Sequence, residues 1–106
     1  MNKPYLALVA ALALAGAPAL ADEAADIWRA KCKNCHGDTG KADTREGKKH
    51  QIPDITTQKW QSEHTDAQIK DTIANGVKDT KMKPFKDKYT DAEIDALVKY
   101  VRGLRK

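Results

Sequence analysis

The chain has 106 residues, a length that predicts one domain, and it carries 19 Lys and Arg against 15 Asp and Glu for a formal net charge of +4. The basic residues are scattered, without a run of about five or six, so the charge argues against nucleic-acid binding and favours an acidic protein partner. Aromatic residues make up only 6% of the chain, so a large apolar cofactor would be a natural substitute for missing core.

The amino-terminal residues 1–21 have the features of a secretory signal peptide. Lys3 gives a positive start, residues 5–17 form an almost unbroken apolar run, and residues 19–21 match the small-x-small site of a signal peptidase. An uncleaved membrane anchor is the alternative, but the run is shorter than the roughly 20 residues of a spanning helix. We predict cleavage after Ala21, a mature domain at residues 22–106 without stable membrane insertion, and a periplasmic or equivalent exported location.

The first predicted helix of the mature chain covers about residues 23–33. Residues 37–59 follow with little periodicity and are interrupted by glycines and Pro53. A structureless segment of that length is expected in a compact domain only if it wraps something that is not protein. The residues at helical spacing in the first helix are Ala24, Ile27, Trp28 and Cys32.

Two further helices are predicted, each opened by a capping box. The sequence TDAQ at residues 65–68 begins a middle helix that ends at Asn75 and Gly76. The sequence TDAE at residues 90–93 begins the carboxy-terminal helix, whose apolar residues form a single stripe. No strand pattern competes with these helices, so the predicted fold class is all-α. The stripe consists of Ile94, Leu97, Val98, Val101 and Leu104.

The sequence CKNCH at residues 32–36 is the C-x-x-C-H arrangement of c-type haem attachment. The thiols of Cys32 and Cys35 are spaced to reach both vinyl groups on one edge of a porphyrin. The next residue, His36, then lies under the iron with an imidazole nitrogen as ligand. The sequence therefore predicts one haem c that is covalently bound through both cysteines.

A redox disulfide and a zinc site are the alternative interpretations of Cys32 and Cys35. A thioredoxin-like disulfide is expected within a βαβ pattern, and none surrounds this pair. A closed zinc site needs four ligands, and the chain has no further cysteine, which leaves only His36, His50 and His64 to complete it. Haem is therefore the preferred interpretation.

The sixth iron ligand decides between electron transfer and catalysis, because an open iron can bind oxygen or peroxide. Met82 is the predicted ligand, since Met1 leaves with the signal peptide. Met82 lies between lysines in a loop that Pro84 stiffens, rather than on an apolar stripe, so it is expected to serve through its sulfur. His50 and His64 are rivals for the same position, and both are expected to be solvent-exposed loop residues.

These residues together resemble the class I cytochromes c over essentially the whole mature chain. The resemblance implies the cytochrome c fold, with about three main helices and long loops wrapped around one covalently bound haem. It implies that Trp28, four positions before the first haem cysteine, packs against the carboxy-terminal helix near Leu97 and Tyr100. Ala24 stands where the family usually has glycine at the helix crossing, which predicts a slightly wider separation of the two helices.

Residues 53–55, Pro-Asp-Ile, resemble the family's Pro-Asn-Leu segment. By that resemblance the Pro53 carbonyl accepts the N–H of His36 and orients the ring, and Ile55 covers the haem. Trp60 is expected either to cover the haem edge or to donate its indole N–H to a haem propionate.

Residues 80–82, Thr-Lys-Met, resemble the segment that carries the family's methionine ligand, although Lys83 interrupts the common Met-Pro pair. The predicted function is therefore one-electron transfer by a monomer that is not an enzyme, with His36 and Met82 as axial ligands. The alternatives are a haem enzyme or gas-binding sensor with an open sixth position, and a bis-histidine carrier. Expected partners are a donor and an acceptor redox protein with an acidic docking patch. The candidates to face that patch are Lys33, Lys81, Lys83 and Lys86, and the alternative interpretation is that these lysines serve ordinary solubility.

Overall fold

The computed structural model describes residues 16–106, with side chains from residue 19 onward. Most of the predicted signal peptide lies outside the described residues, and its cleavage stays a prediction. The described residues are helical and contain no strand, which confirms the predicted all-α class. Within residues 16–106, no helix combines the length and the apolar character that crossing a membrane requires.

The first helical stretch is longer at both ends than predicted. α1 spans Gly16–Ile27, a π-helical segment spans Trp28–Cys32, and α2 spans Lys33–His36. The early start is consistent with the alanine-rich sequence, because alanine has the highest helix propensity. The backbone N–H of Lys33 donates to the carbonyl of Trp28, the five-residue hydrogen bond of a π-helix. The stretch ends at Gly37, whose φ of +82° lies in the left-handed region.

The segment predicted to be irregular, residues 37–59, contains one short helix and the start of another. α3 spans Arg45–Lys49 and α4 spans Gln58–Glu63. Each is capped by a threonine: the Thr44 hydroxyl accepts from the N–H of residue 47 at 2.9 Å, and the Thr57 hydroxyl accepts from that of residue 60 at 3.1 Å. The expectation was wrong here because helices of one or two turns leave no periodicity to detect.

The two capping boxes lie where the sequence predicted them, before α5, Asp66–Asn75, and α6, Asp91–Gly103. Thr65 donates its N–H to the Gln68 side chain at 2.8 Å and accepts the Gln68 N–H at 3.1 Å. The second box repeats both bonds at 2.8 and 3.2 Å. Each cap contributes about 1 kcal/mol to the stability of its helix.

One hydrophobic core joins α1, α5 and α6. α1 and α6 pack directly against each other, as the predicted crossing of the terminal helices requires, and Ala24 is 2% exposed. The Trp28 ring lies 5.1 Å from that of Tyr100, which confirms the predicted contact with the carboxy-terminal helix. The buried core residues are Ala24, Ile27, Trp28, Ile55, Ile69, Ile73, Phe85, Ile94, Leu97, Val98 and Val101.

Candidate haem-binding site

The two cysteines of the C-x-x-C-H sequence are free and partly buried. Cys32 ends the π-helical segment, and Cys35 lies in α2. Burial raises the pKa of the Cys32 thiol to about 11, with a smaller contribution from the charge of Cys35. A thioredoxin-like cysteine has a lowered pKa, so this environment argues against a redox disulfide.

His36 is partly buried, and its Nδ1 is buried without a hydrogen-bond partner among the described residues. Burial lowers the pKa of His36 below its ordinary value of 6.5, so the imidazole is neutral at pH 7. The neutral imidazole is the form that binds a metal ion. In a purely structural site, an unbonded buried N–H would cost about 1–3 kcal/mol. A neutral, unbonded imidazole beside two free thiols therefore fits the attachment and ligation of a c-type haem.

The hydrogen bond that was predicted between His36 and Pro53 is not formed in this structure. Pro53 is exposed, and Nδ1 of His36 has no partner within residues 16–106. A local turn holds this segment instead. The Asp54 carboxylate accepts one hydrogen bond from the N–H of Thr56 at 2.8 Å and another from the Thr56 hydroxyl at 2.5 Å. The hydroxyl hydrogen bond is the main reason that the pKa of Asp54 is lowered. The part of Pro53 in haem binding stays a prediction.

Three successive carbonyls at the end of α2 accept hydrogen bonds from two other segments. They belong to residues 35–37, and their donors in that order are the Thr44 hydroxyl at 3.0 Å, the Ala42 N–H at 2.8 Å and the Trp28 indole at 3.0 Å. Carbonyls at a helix end have no partner within the helix. These bonds therefore tie the candidate ligand segment to the start of the π-helical segment and to the loop before α3.

Met82 is partly buried against the hydrophobic core and stands on a hydrogen-bonded loop. Its carbonyl accepts the N–H of Val77 at 3.0 Å, and its N–H donates to the Thr80 hydroxyl at 3.1 Å. The Thr80 hydroxyl donates in turn to the Val77 carbonyl at 2.8 Å. Beyond Met82, the N–H of Phe85 donates to the Ile73 carbonyl of α5 at 3.1 Å. The backbone on both sides of Met82 is therefore fixed.

Four of the predicted haem contacts belong to the hydrophobic core or pack against it. Ile55 is a buried core residue with 5% exposure, and Cys32, Trp60 and Met82 are partly buried against the same core. The Trp60 ring also stacks on that of His64, with centroids 4.3 Å apart. The predicted roles of Ile55 and Trp60 at the haem remain predictions.

Neither rival histidine is the exposed loop residue that the sequence predicted. Nδ1 of His64 lies 2.7 Å from the carbonyl oxygen of Trp60. The side chain of His50 is 27% exposed, and its Nε2 lies 3.6 Å from the Glu46 carboxylate, too far for a hydrogen bond. Nε2 of His50 is thus also buried without a hydrogen-bond partner among the described residues. The expectation was wrong because each histidine caps the carboxy-terminal end of a short helix and packs back onto it. His50 also lines a cleft of about 470 Å³ with residues 79–81, which places it beside the Met82 loop.

Gln61 and Arg102 form a buried polar connection that sequence reasoning missed. Gln61 is 6% exposed, and its amide donates to the carbonyls of Ile55 at 2.8 Å and Val101 at 3.0 Å. Arg102 donates to the Gln61 carbonyl at 2.7 Å and to its side-chain oxygen at 3.0 Å. The connection holds the segment between Ile55 and α4 against α6. The only signal in the sequence was a glutamine in α4. That helix is too short for helical spacing to show which of its side chains are buried.

The lysines expected at the docking surface are exposed. Lys81 and Lys83 flank Met82 directly, and Lys86 follows in the same segment. Lys33 lies next to Cys32, and its ammonium is 3.4 Å from the Asp38 carboxylate. The Met82 loop therefore presents the more concentrated positive charge.

Comparisons with known proteins agree with this site. A family model described as cytochrome c oxidase, cbb3-type, subunit III matches residues 19–101. A solved structure named KustC0563 c-type cytochrome is similar to this chain, with a TM-score of 0.72 and 34% sequence identity. That match covers 77% of this chain and 96% of the other chain. A search of the curated proteins found no match.

These similarities confirm the predicted cytochrome c fold and a haem-based electron-transfer function. A c-type cytochrome carries covalent haem c, and Cys32 and Cys35 are the cysteines available for it. The chain belongs to the family of c-type cytochromes whose model is described as cytochrome c oxidase, cbb3-type, subunit III.

Proposed function

We propose that this protein is a monohaem electron carrier of the periplasm or an equivalent exported space, with His36 and Met82 as the axial ligands of the iron. The observation that supports it best is the buried Nδ1 of His36, which has no hydrogen-bond partner among the described residues and lies next to two free cysteines. Met82 packs against the core of the same domain. The predicted signal peptide at residues 1–21 supports the location. We propose no enzymatic activity for this carrier.

Bound haem supplies a one-electron iron couple, and the surrounding residues set its potential. His36 offers a nitrogen lone pair because burial keeps the ring neutral. Met82 offers a thioether, which stabilises ferrous iron compared with a second imidazole, so we expect a relatively high potential. The hydrogen bonds of Thr80 and Val77 hold the Met82 backbone in place, which favours a filled sixth position over one open to oxygen or peroxide.

The exposed lysines around Met82 support docking to a redox partner with an acidic patch. Lys81, Lys83 and Lys86 are exposed and follow one another closely along the loop. Positive charge in that place would steer a negatively charged surface toward the haem edge and raise the association rate. We propose a monomer that meets its donor and its acceptor by diffusion.

The family description supports a second candidate, a cytochrome domain that works as a fixed subunit of an oxidase. The two candidates differ in what the native protein associates with. Release from the exported fraction without detergent, followed by elution at the size of a monomer, would support the carrier. Co-elution with oxidase activity from detergent-extracted membranes would support the subunit.

The ligand assignment is tested by the absorption spectrum of the purified holoprotein, expressed with its leader in a host that attaches haem c. We expect a covalent haem spectrum and a weak band at about 695 nm, which reports iron–thioether bonding. Met82→Ala should abolish that band and make the ferrous protein bind carbon monoxide. His50→Ala and His64→Ala, the matched controls, should leave the band and the potential unchanged.

Three results would contradict the proposal at different points. Absence of covalent haem would remove the carrier function altogether. Ready carbon monoxide binding by the wild-type ferrous protein at neutral pH would support an enzyme or sensor with an open iron position. If Met82→Ala left the potential unchanged and His50→Ala altered it, the protein would be a bis-histidine carrier.

A further inference from the structure

The side chain of Trp28 touches both the carboxy-terminal helix and the candidate haem histidine. Trp28 is 3% exposed, and its ring centroid lies 5.1 Å from that of Tyr100 and 5.7 Å from that of His36. Its indole N–H donates to the Gly37 carbonyl at 3.0 Å in a buried hydrogen bond. The contact with Tyr100 explains helix packing, but the contacts with His36 and Gly37 point toward the haem ligand.

No hydrogen bond from the described part of the chain fixes the orientation of the His36 ring. Its Nδ1 is buried without a partner among the described residues. The backbone turns sharply after His36, because Gly37 has a φ of +82°. Asp43 also packs closely against this turn, since a Cβ on Gly37 would lie 2.8 Å from the Asp43 carboxylate. The position of the ring therefore depends on the Gly37 turn and on the aromatic surface beside it.

Trp28 holds this segment at both of its ends. Its backbone carbonyl accepts the N–H of Lys33 and so closes the π-helical turn that leads into Cys32. Its indole N–H reaches the carbonyl of Gly37, directly after His36. A π-helical turn contains one residue more than an α-helical turn, so it changes the direction in which the following side chains project. Both attachments of Trp28 therefore constrain the ligand segment between them.

The structure assigns to Trp28 the role of a positioning residue for His36. The indole hydrogen bond to Gly37 and the ring contact together set the plane of the imidazole that ligates the haem iron. This inference rests on the proposed function, because it takes His36 as an iron ligand. Contacts of this kind that surround a metal-bound histidine orient the ring and tune the metal. The role goes beyond the helix packing that accounts for an aromatic residue at this position.

The test compares Trp28→Phe with Tyr100→Phe in the full holoprotein. Trp28→Phe keeps an aromatic ring in the core but removes the N–H donor to Gly37. Tyr100→Phe alters the opposite neighbour of Trp28 and keeps that donor. The readouts are the midpoint potential and the pattern of paramagnetically shifted haem methyl signals, which reports the orientation of the axial ligand plane. We expect Trp28→Phe to shift both and Tyr100→Phe to shift neither, with covalent haem retained in each.

A wild-type haem methyl pattern in Trp28→Phe would overturn the inference. Equal shifts in both variants would also overturn it, because they would show a general packing effect. If wild-type protein lacked covalent haem, the proposed function itself would fail, which separates the two failures.

If Trp28→Phe does not yield folded holoprotein, the rate at which the Trp28 indole N–H exchanges with solvent is measured in the wild type. The Trp28 signal should exchange with solvent at least tenfold more slowly than that of the half-buried Trp60. Replacing Trp28 by benzothienylalanine, which puts sulfur in place of the N–H at similar shape, should then shift the haem methyl pattern. Fast exchange at Trp28, or an unshifted pattern with the analogue, would overturn the inference.

Discussion

Gly76 lies against the backbone of Met82, so closely that a Cβ on Gly76 would be 2.6 Å from the Met82 carbonyl oxygen. Gly76 also has a φ of +70°, in the left-handed region that L side chains avoid. The residue that ends α5 therefore sets how closely the candidate ligand loop approaches the helix.

Gly76→Ala should weaken the bond between Met82 and iron. Alanine in the left-handed region costs about 1–2 kcal/mol, and its methyl group would push the Met82 backbone away. We expect the band at about 695 nm to weaken and carbon monoxide binding to appear, with covalent haem retained. Gly103→Ala is the matched control, because nothing lies within 4 Å of a Cβ there. An unchanged band in Gly76→Ala would contradict this role of Gly76.

Gln61→Leu should destabilise the folded protein without removing the haem. The substitution leaves the Ile55 carbonyl without its donor and deprives Arg102 of an acceptor. The Val101 carbonyl loses one donor and keeps the Leu104 N–H at 3.1 Å. Because Gln61 is buried, we expect the free energy of unfolding to fall by about 3 kcal/mol. Denaturant unfolding of the holoprotein measures it, with Gln58→Leu at the exposed start of α4 as the control. Equal losses in the two variants would show that the connection is unimportant.

Glu23→Gln should raise the melting temperature at pH 7. Glu23 of α1 and Glu93 of α6 are carboxyls in contact, and the hydrogen bond with Glu93, followed by its charge, raises the pKa of Glu23. The hydrogen bond with Glu23 lowers the pKa of Glu93. A glutamine at residue 23 removes the repulsion and can donate to Glu93 at every pH. Asp22→Asn, an equal change of charge one residue away, is the control.

The directions of the two pKa shifts determine how the stability of the protein depends on pH. The stability that Glu23 contributes is fully present below the pKa that Glu23 has in the unfolded chain, near the ordinary value of 4.5. It is lost as the pH rises through the higher pKa that Glu23 has in the folded protein. Stability from Glu93 is present above its unfolded pKa and is lost as the pH falls through the lower folded pKa. The advantage of Glu23→Gln should therefore shrink as the pH falls toward 4.5. An advantage that persists at lower pH would contradict the carboxyl contact.

Reversing two charges beside Met82 should change the rate of electron exchange with small charged oxidants. In the Lys81→Glu/Lys83→Glu variant, oxidation by ferricyanide, an anion, should slow several-fold at low ionic strength. Oxidation by a cationic cobalt complex should become faster. Stopped-flow kinetics measure both, and the differences should fall as salt screens the charges. Lys59→Glu/Lys99→Glu, on α4 and α6, has the same net charge, and an equal response from it would show that the Met82 loop is not the exchange surface.

The predictions that the sequence allowed depended on residues close together along the chain. The CKNCH sequence at residues 32–36 predicted the haem attachment site, and the comparisons confirmed the family. The two capping boxes were correct because each is a contact between residues three apart, and the stripe of α6 because helical spacing alone defines it. Short helices such as α3 and α4 escaped prediction because one or two turns carry no periodicity.

The contacts that only the tertiary structure revealed join residues far apart in sequence. The Gln61 amide reaches a carbonyl 40 residues away, and Arg102 donates to the backbone of His64, 38 residues away. The path of the chain decides such pairs, and no local pattern specifies which buried glutamine meets which arginine. The same holds for the missing bond between His36 and Pro53, where a local turn at Asp54 holds the segment instead.

The sequence by itself determined which residues can attach and ligate a haem, because thiol, imidazole and thioether groups are read directly from the chain. It also determined where the longer helices α5 and α6 begin. Only the tertiary structure decided which groups lie against the candidate ligands: the Trp28 indole, bonded to Gly37, lies beside His36, and α5 with Thr80 holds the Met82 loop. The physical reason is that a ligand's chemistry belongs to one side chain, whereas its orientation depends on packing and hydrogen bonds that form when distant segments meet.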